Sequence, residues 1–499
     1  MSFRRLIFVV LLLVAPVAYA EITLPGVWSD HAVVQRARPL HLWGLARPGA
    51  RLAIHFHEQS GEAVVDETGA WSVWLKPELA GGPFILQIEG DGAVTRTDLL
   101  VGDVWLASGQ SNMQFPLRGF DGAPLKDGEK EIAAATVPNL RLLLVPRVGS
   151  DTPKDDVHAG WTACTPQTAR EFSAVAYFFG RAIAEKEHVP VGLIDASWGG
   201  TPADAWTSLE TLASDPALLP AFAARAQFAL GESRRQRIAA IEREQDAALR
   251  AAGKPVTLHE WKPDEVSWTP AALYNGMIAP LTPYSIKGFL WYQGETNSRP
   301  ERYRNYAALF PALIRDWRAR FAQGELPFVY AQISSFDSPA EHWGVIRDAQ
   351  RRALALRATA QAVTLDVGEK HNVHPADKQT VAARLAMAAR GLSYGESMEY
   401  ASPTLRQVTR EPGALRLWFD HAAGLHARGT LRDFEVAGAD GRFVPAEARI
   451  EGETVVVSSP EVTVPVDARY AWANDATGSL ANGAGLPAGT FTTEETPRE

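Results

Sequence analysis

Short, almost wholly apolar runs recur along the middle of the chain, and stretches with helical patterns separate them. Runs that are apolar on both faces are typical of parallel strands buried under helices. Their alternation with helices predicts an α/β fold, a parallel sheet covered on both sides. The predicted strands are Leu99–Ser108, Val191–Asp195, Gly288–Tyr292, Phe328–Gln332 and Ala362–Asp366. The predicted helices include residues 173–186, 303–321 and 345–356.

Both ends of the chain have a different character. Residues 21–98 and 401–499 carry short alternating strands separated by turns, and such spacing indicates antiparallel all-β structure. We expect the first of these regions to resemble a β-sandwich. The catalytic domain then spans residues 99–400. A charged, Ala-rich helical insertion interrupts it at about residues 209–263.

The first twenty residues have the pattern of a secretory signal. Arg4 and Arg5 precede an apolar run from Leu6 to Val14, and residues 18–20 read Ala-Tyr-Ala, a cleavage pattern. The run is too short to span a membrane comfortably. We therefore expect export to a bacterial periplasm or an extracellular space, with residues 1–20 removed.

Composition excludes several classes of partner. A formal net charge of −9 argues against nucleic acid, because phosphate binding requires clustered Lys and Arg. No basic amphipathic segment suggests a membrane surface. The single cysteine, Cys164, excludes an intrachain disulfide framework. Oligomeric state cannot be predicted from these features.

Polar motifs follow the ends of the predicted strands, where ligands bind in such sheets. Ser111 lies in the run Gly109-Gln110-Ser111-Asn112-Met113, directly after the first strand. A serine there is exposed at the edge of the sheet, near backbone N–H groups that can face an oxyanion. The alternative is a turn serine that caps a helix. The α/β-hydrolase elbow is excluded, since residue 113 is Met instead of Gly.

A candidate base follows the last predicted strand. His374 lies on a strand-to-helix loop, before Pro375, where its imidazole can reach a serine at another strand end and accept its proton. The alternative is a loop histidine with a structural hydrogen bond.

Two further segments offer hydrogen-bond donors. Gly199 and Gly200 follow the strand at Val191–Asp195, and glycine N–H groups can approach a developing oxyanion closely. Gln293 and Asn297 follow the strand at Gly288–Tyr292 and carry neutral amide donors, while Glu295 is suited to orienting them or to binding substrate hydroxyls. A tight turn and a helix cap are the structural alternatives.

These blocks, in this order, resemble the SGNH (GDSL-like) hydrolases and, more narrowly, the sialate O-acetylesterase family of carbohydrate esterases. The resemblance covers nearly the whole mature chain and implies a flavodoxin-like α/β/α sheet. Additional matching segments are Ser29–Arg36, Tyr274–Leu281, Asp316–Arg318, Arg347–Gln350 and Tyr470–Asn474.

The resemblance implies a role for each motif residue. Ser111 would be the nucleophile and His374 the base, forming an acetyl-enzyme that water then hydrolyses. The oxyanion hole would combine the N–H of Ser111, that of Gly199 or Gly200, and a side chain from Gln293 or Asn297. No metal or organic cofactor is expected. The candidates for substrate binding are Gln110, Asn112, Trp198, Trp291 and Glu295.

The chain departs from the family pattern at one position. Many SGNH enzymes carry an acid three residues before the histidine, but residue 371 is His here. Asp366 is the first candidate for the orienting acid and Glu295 the second. A Ser-His dyad, with a backbone carbonyl orienting the imidazole, is the third interpretation.

The expected partner is an acetylated glycan or oligosaccharide, either a sialic acid or a plant polysaccharide such as xylan or xyloglucan. Tryptophans near the inferred site can stack on sugar faces or belong to the core. They are Trp198, Trp206, Trp291 and Trp343. Two alternative functions are a glycan-binding protein with a degenerate esterase site and a lipase or thioesterase of the wider SGNH group.

Overall fold

A computed structural model describes residues 21–256 and 265–497 of the chain. The predicted export signal, residues 1–20, and positions 257–263 of the predicted insertion lie outside the described residues. Within those two ranges, no helix is both long and apolar enough to cross a membrane.

The N-terminal β region, residues 21–98, joins the catalytic sheet directly. Strand β7 runs without a break through residue 98, so the boundary predicted there lies inside a strand. Strand β6 pairs with the first half of β7 and β1 with its middle, at Leu100–Gly102, whereas β2 and β5 form a separate antiparallel pair. The strands are β1 (Val33–Gln35), β2 (Leu40–Leu45), β3 (Arg51–Phe56), β4 (Gln59–Val64), β5 (Ala70–Leu75), β6 (Gly81–Gly90) and β7 (Gly92–Gly109).

The central sheet confirms the predicted α/β class. Its remaining strands are β8 (Val137–Leu144), β9 (Thr162–Cys164), β10 (Val191–Ser197), β11 (Gly288–Tyr292), β12 (Phe328–Ala331) and β13 (Thr359–Ala362). Their order is β13-β12-β11-β7-β10-β8-β9, parallel except for β9. The chain fills one side of β7 first and the other side afterwards. Strand β7 therefore ends, at Gly109, at the switch point of the sheet, where doubly wound sheets bind ligands.

Helices cover the sheet and form the insertion. Helix α8 has the predicted bounds, and α4 begins after Ser173, whose side chain accepts a hydrogen bond from the N–H of Ala176. The helices are α1 (Ser111–Gln114), α2 (Gly128–Ala133), α3 (Pro166–Ala169), α4 (Ala174–Glu187), α5 (Leu209–Ser214), α6 (Leu219–Ala251), α7 (Glu265–Trp268), α8 (Tyr303–Phe321), α9 (Trp343–Arg352) and α10 (Lys378–Ser393).

One predicted strand is displaced. The strand expected at 362–366 ends at Ala362, and Leu365–Val367 forms a 3-10 turn instead. The Thr364 hydroxyl donates to the carbonyl of Gln332 at this point, and two arginines bind Asp366. These side-chain contacts replace further strand pairing.

The C-terminal β region, residues 401–497, is all-β and forms a second hydrophobic cluster, which also includes Val363 and Leu365 of the catalytic domain. The larger cluster runs from the N-terminal β region through the catalytic sheet. The C-terminal strands are β14 (Thr404–Glu411), β15 (Ala414–Asp420), β16 (His426–Ala427), β17 (Phe434–Ala437), β18 (Phe443–Pro445), β19 (Glu447–Glu451), β20 (Thr454–Ser458), β21 (Asp467–Tyr470), β22 (Leu480–Ala481) and β23 (Phe491–Thr492).

Candidate active site

A cavity of about 520 Å³ opens beyond the carboxyl ends of β7, β10 and β11. Ser111 and His374 both line it, although 263 residues separate them in the chain. Its other lining residues come from several loops: Gln110, Gln114, Phe120, Arg147, Trp198, Gly199, Gly200, Glu295, Thr296, Arg299, Phe336, Glu341, Trp343 and Val373.

The turn that presents Ser111 depends on glycine. Gly109 has a φ of +137°, and a Cβ at this position would lie 2.2 Å from the carbonyl oxygen of Tyr292. The chain therefore turns sharply out of β7 and starts the single turn of α1 at Ser111. As the first residue of that turn, Ser111 has a backbone N–H without an acceptor among the described residues. This N–H is available to an oxyanion.

His374 is held by its own loop. The backbone N–H of His374 donates to Asn372 Oδ1 (3.0 Å), and its backbone carbonyl accepts from Asn372 Nδ2 (2.9 Å). The ring packs against Phe120, with centroids 5.2 Å apart. Burial, followed by repulsion from the Lys378 ammonium, lowers the pKa of His374 to about 4. The imidazole is therefore neutral at ordinary pH, as a general base requires.

In the described chain, neither the Ser111 hydroxyl nor the His374 ring makes a hydrogen bond to another protein group. Catalytic hydrogen bonds are often long without substrate and shorten in the Michaelis complex. The cavity thus brings the two side chains to one space without joining them directly.

The two glycines predicted as oxyanion donors, Gly199 and Gly200, make different contacts. Gly199 packs against the nucleophile, because a Cβ there would lie 3.2 Å from Ser111 Cβ. Its N–H donates to Gln114 Oε1 at 2.5 Å, so this donor already has an acceptor. Gly200, with a φ of +72°, has no acceptor for its N–H within the described residues and remains a candidate.

The two amide candidates also separate. Gln293 is fully buried, and its Nε2 donates to Asn297 Oδ1 (2.6 Å) and to Thr201 O (3.2 Å), so it faces these groups instead of the cavity. Asn297 accepts through Oδ1, from Gln293 and from the N–H of Ala203. Asn297 is buried and is not among the residues that line the cavity, but its Nδ2 has no hydrogen-bond partner in the described part of the chain, so it stays a candidate side-chain donor.

Neither candidate acid contacts His374. The Asp366 carboxylate, the first candidate for the orienting acid, binds Arg384 (2.6 and 2.7 Å) and Arg428 (2.6 Å) and makes no hydrogen bond to His374. Glu295 accepts from Asn112 Nδ2 at 2.6 Å, and its other oxygen is buried without a partner. The residue at the family's acid position, His371, is exposed and lies 4.0 Å from Asp337. Within the described residues, no carboxylate hydrogen bonds to the His374 ring.

The predicted substrate-binding residues fall into two groups. Trp291 and Trp206 are fully buried and pack edge to face, so they belong to the core. Asn112 is also buried, beneath the site. Trp198 and Trp343 line the cavity, as do Glu295 and Gln110, although Gln110 Oε1 accepts from the N–H groups of Gly294 and Thr296.

Several lining residues escaped the sequence analysis. Gln114, Arg147, Arg299 and Glu341 stand alone in loops or turns, where no motif marks them. Lys378 is different, because it is the first residue of helix α10, where a lysine is unfavourable next to the positive end of the helix dipole. Among residues 21–256 and 265–497, no three His, Cys, Asp or Glu side chains are grouped as metal ligands.

Comparisons with known proteins identify the family of the chain. Residues 249–390 match the family model "carbohydrate esterase, sialic acid-specific acetylesterase". Sialate O-acetylesterases from mouse and human are 28% and 29% identical to the chain, over 86% of it and 85% and 83% of theirs. A carbohydrate acetylesterase from Xanthomonas citri is 35% identical, with a TM-score of 0.81 over 95% of this chain and 100% of that one.

The similarity to the Xanthomonas citri protein extends over the catalytic sheet and both β regions, well beyond the segment that the family model matches. The chain therefore belongs to the sialate O-acetylesterase family of carbohydrate esterases, and it is a carboxylic ester hydrolase.

Proposed function

We propose that the chain removes O-acetyl groups from sugars by a serine mechanism with a Ser111–His374 dyad. The observation that carries this proposal is the shared cavity, in which Ser111, a neutral His374 and unpaired N–H donors meet at the switch point of the sheet. Family membership supplies the reaction class.

In the acylation step, the His374 imidazole removes the proton from Ser111 Oγ as this oxygen attacks the acetyl carbonyl. The negative charge on the carbonyl oxygen is stabilised by the N–H groups of Ser111 and Gly200 and by Asn297 Nδ2. The C–O bond to the sugar then breaks, and the imidazolium returns the proton to the leaving sugar oxygen.

In the deacylation step, His374 accepts a proton from water, and the resulting hydroxide attacks the acetyl-enzyme. The oxyanion hole is used a second time. Acetate leaves, and Ser111 recovers its proton from the imidazolium. Every step uses groups of the chain itself.

The charges of the cavity favour an acidic sugar, a sialate, as substrate. Glu341 Oε2 accepts hydrogen bonds from Ser298 Oγ and Trp343 Nε1, and Glu295 Oε1 accepts one from Asn112 Nδ2, so protein donors already occupy an oxygen of each carboxyl. Burial also raises the pKa of Glu295, which favours its neutral form. Arg147 donates only its Nε–H to a described residue, the carbonyl of Ser197, so its terminal nitrogens are free for a sugar carboxylate.

The mechanism is tested with Ser111→Ala, which we expect to lower hydrolysis of 4-nitrophenyl acetate by at least about 10³-fold. Asp366→Asn is the matched control and should stay within about threefold of wild type, since Asp366 binds arginines only. Full activity of Ser111→Ala would refute the nucleophile. A loss in Asp366→Asn as large as in Ser111→Ala would refute the dyad.

The substrate is tested by acetate release from O-acetylated sialic acid, xylan and xyloglucan. We expect sialic acid to be preferred and Arg147→Met to remove that preference while hydrolysis of 4-nitrophenyl acetate is retained. Faster release from either plant polysaccharide would overturn the sialate assignment and leave the serine mechanism standing.

A further inference from the structure

A buried lysine lies under the candidate active site. Lys378 is fully buried, yet it is the first residue of helix α10, where the helix dipole already places partial positive charge. Burial lowers the pKa of Lys378 to about 7, while the nearby carboxylates of Glu295, Glu369 and Asp377 oppose that shift. A buried cation is costly unless it is paired, and a helix start increases that cost. Its retention therefore calls for a compensating role.

The ammonium of Lys378 points at Asn112, the residue that follows the nucleophile. Lys378 Nζ donates to Asn112 Oδ1 at 2.6 Å and lies 4.7 Å from the centre of the Phe115 ring. On the other side of the same amide, Asn112 Nδ2 donates to Glu295 Oε1 at 2.6 Å. A cation and a carboxylate thus fix which way the Asn112 amide faces.

The Asn112 amide, fixed in this way, connects the turn that carries Ser111 to the loop that carries His374. Asn112 Nδ2 also donates to the carbonyl of Val373 at 3.0 Å, and Val373 precedes His374. This bond ties the residue after Ser111 to the residue before His374. A flipped amide would point its oxygen at the Val373 carbonyl and its NH2 group at an ammonium, and both contacts would repel.

We propose that Lys378 is the positioning residue of this active site, holding Asn112 in the one orientation that joins the Ser111 turn to the His374 loop. The inference rests on the proposed dyad. In this interpretation the His374 loop is held in position by Lys378, Asn112 and Glu295. Other enzymes of this kind use an orienting acid for that purpose. Lys378 touches no reacting atom.

The charge of Lys378 has a second consequence. Burial is the first cause of the low pKa of His374, and repulsion by Lys378 adds to it. Glu295, Glu369 and Asp377 face Lys378, and Arg147, Arg299 and Glu341 line the cavity that His374 faces. Removing the ammonium should therefore raise the pKa of the imidazole, and the acid limb of kcat/KM should move to higher pH.

The test compares wild type with Lys378→Met on 4-nitrophenyl acetate. Loosening of the Ser111–His374 geometry should lower kcat by about 10- to 100-fold with KM nearly unchanged. The midpoint of the acid limb should rise by about one pH unit. Arg384→Met, which breaks an ion pair on the same helix, is the matched control for stability and should leave the acid limb in place.

Lys378→Met leaves Glu295 as an unpaired buried carboxyl, so folding is followed by thermal unfolding in parallel. If the single variant does not fold, Lys378→Met combined with Glu295→Gln removes both charges, and the same losses are expected. Wild-type kcat with an unmoved acid limb, in either folded variant, would overturn the positioning role. Activity retained in Ser111→Ala would instead mean that the dyad itself is wrong.

Discussion

The two β regions are attached to the catalytic sheet in opposite ways. The N-terminal β region shares the hydrophobic core of the catalytic domain, and its strands β1 and β6 pair with β7 itself. The C-terminal β region forms a second hydrophobic cluster and pairs no strand with the central sheet within the described residues. From shared packing alone, we would expect the N-terminal β region to influence the active site more than the C-terminal β region does.

The contacts with the cavity show the reverse, because they come from the C-terminal β region. Strand β1 pairs with β7 at Leu100 to Gly102, and Gly102 precedes Gly109 by seven residues, or about 23 Å of strand. The C-terminal β region instead reaches the cavity through Asn474, which accepts from the N–H of Trp343 (3.0 Å) and donates to Glu341 O (2.8 Å). Hydrogen bonds from the C-terminal β region therefore reach the wall of the cavity, whereas none of the described residues of the N-terminal β region lines it.

The largest effect that this comparison predicts is for Asn474→Ala. The side chain makes three hydrogen bonds to the loop at residues 338–343, and its loss should let Glu341 and Trp343 leave the cavity wall. We expect kcat/KM on an acetylated glycan to fall by about 10- to 100-fold, because small misplacements of a site are costly. Hydrolysis of 4-nitrophenyl acetate, which does not reach this wall, should fall by much less.

Asn482→Ala is the matched control for that variant. Asn482 also makes three side-chain hydrogen bonds to backbone groups of the C-terminal region or its border, at Ala401, His421 and Leu486. It should lose a similar amount of stability without the glycan-specific loss. Equal loss of glycan activity in both variants would mean that the C-terminal β region acts only through stability.

A stability effect without an activity effect is predicted at the N-terminal attachment. Arg36 binds the fully buried Asp103 through two hydrogen bonds of 2.9 and 2.8 Å. Arg36→Met should lower the free energy of unfolding by about 3 kcal/mol, the lower end for a broken buried pair, since Arg36 is partly exposed. Because this attachment is far from Ser111, kcat/KM should stay within about twofold.

This effect should depend on pH in a defined direction. Burial raises the pKa of the Asp103 carboxyl, but the hydrogen bonds and charge of Arg36 outweigh burial and hold it below its usual value. The stabilisation is therefore present above the unfolded pKa of about 3.9 and is lost as pH falls through the lower folded value. Denaturation by urea at pH 7 and at pH 3 should show the difference between wild type and Arg36→Met shrinking. A constant difference would mean that Arg36 stabilises by packing alone.

Sequence patterns predicted the features of the site that depend on local order. Apolar runs located β7, β10 and β11, and because parallel strands end at one edge, the polar residues after them were expected to meet. Ser111, Gly200 and His374 line one cavity as expected. A pattern of this kind requires only that each strand be recognised and its direction known.

Patterns failed where a side chain's direction or a distant partner decides the outcome. Gln293 and Asn297 lie in one polar block, but only the folded chain shows that Gln293 faces Thr201 and the core. Asp366 was expected to face His374, yet its partner Arg428 comes 62 residues later, from the C-terminal β region. The role of Lys378 likewise depends on Asn112, 266 residues away. Long-range ion pairs and amide orientations leave no local signal.

The smallest predicted effect concerns an exposed ring of the N-terminal β region. Trp74 is 60% exposed and stacks on His41, with centroids 4.1 Å apart. Trp74→Ala should cost at most about 1 kcal/mol of stability, the value of one aromatic pair. Both glycan and 4-nitrophenyl acetate hydrolysis should be unchanged, because β5 lies with the strands attached to the far half of β7.

Trp198→Ala, at the cavity wall, is the matched aromatic variant and should raise KM for the glycan severalfold. If Trp74→Ala raises KM for a long acetylated glycan as Trp198→Ala does, while leaving 4-nitrophenyl acetate unaffected, the N-terminal β region binds glycan at a distance from Ser111. Both β regions would then contribute to substrate binding. The C-terminal region would shape the cavity, and the N-terminal region would bind a part of the glycan that lies away from the acetyl group.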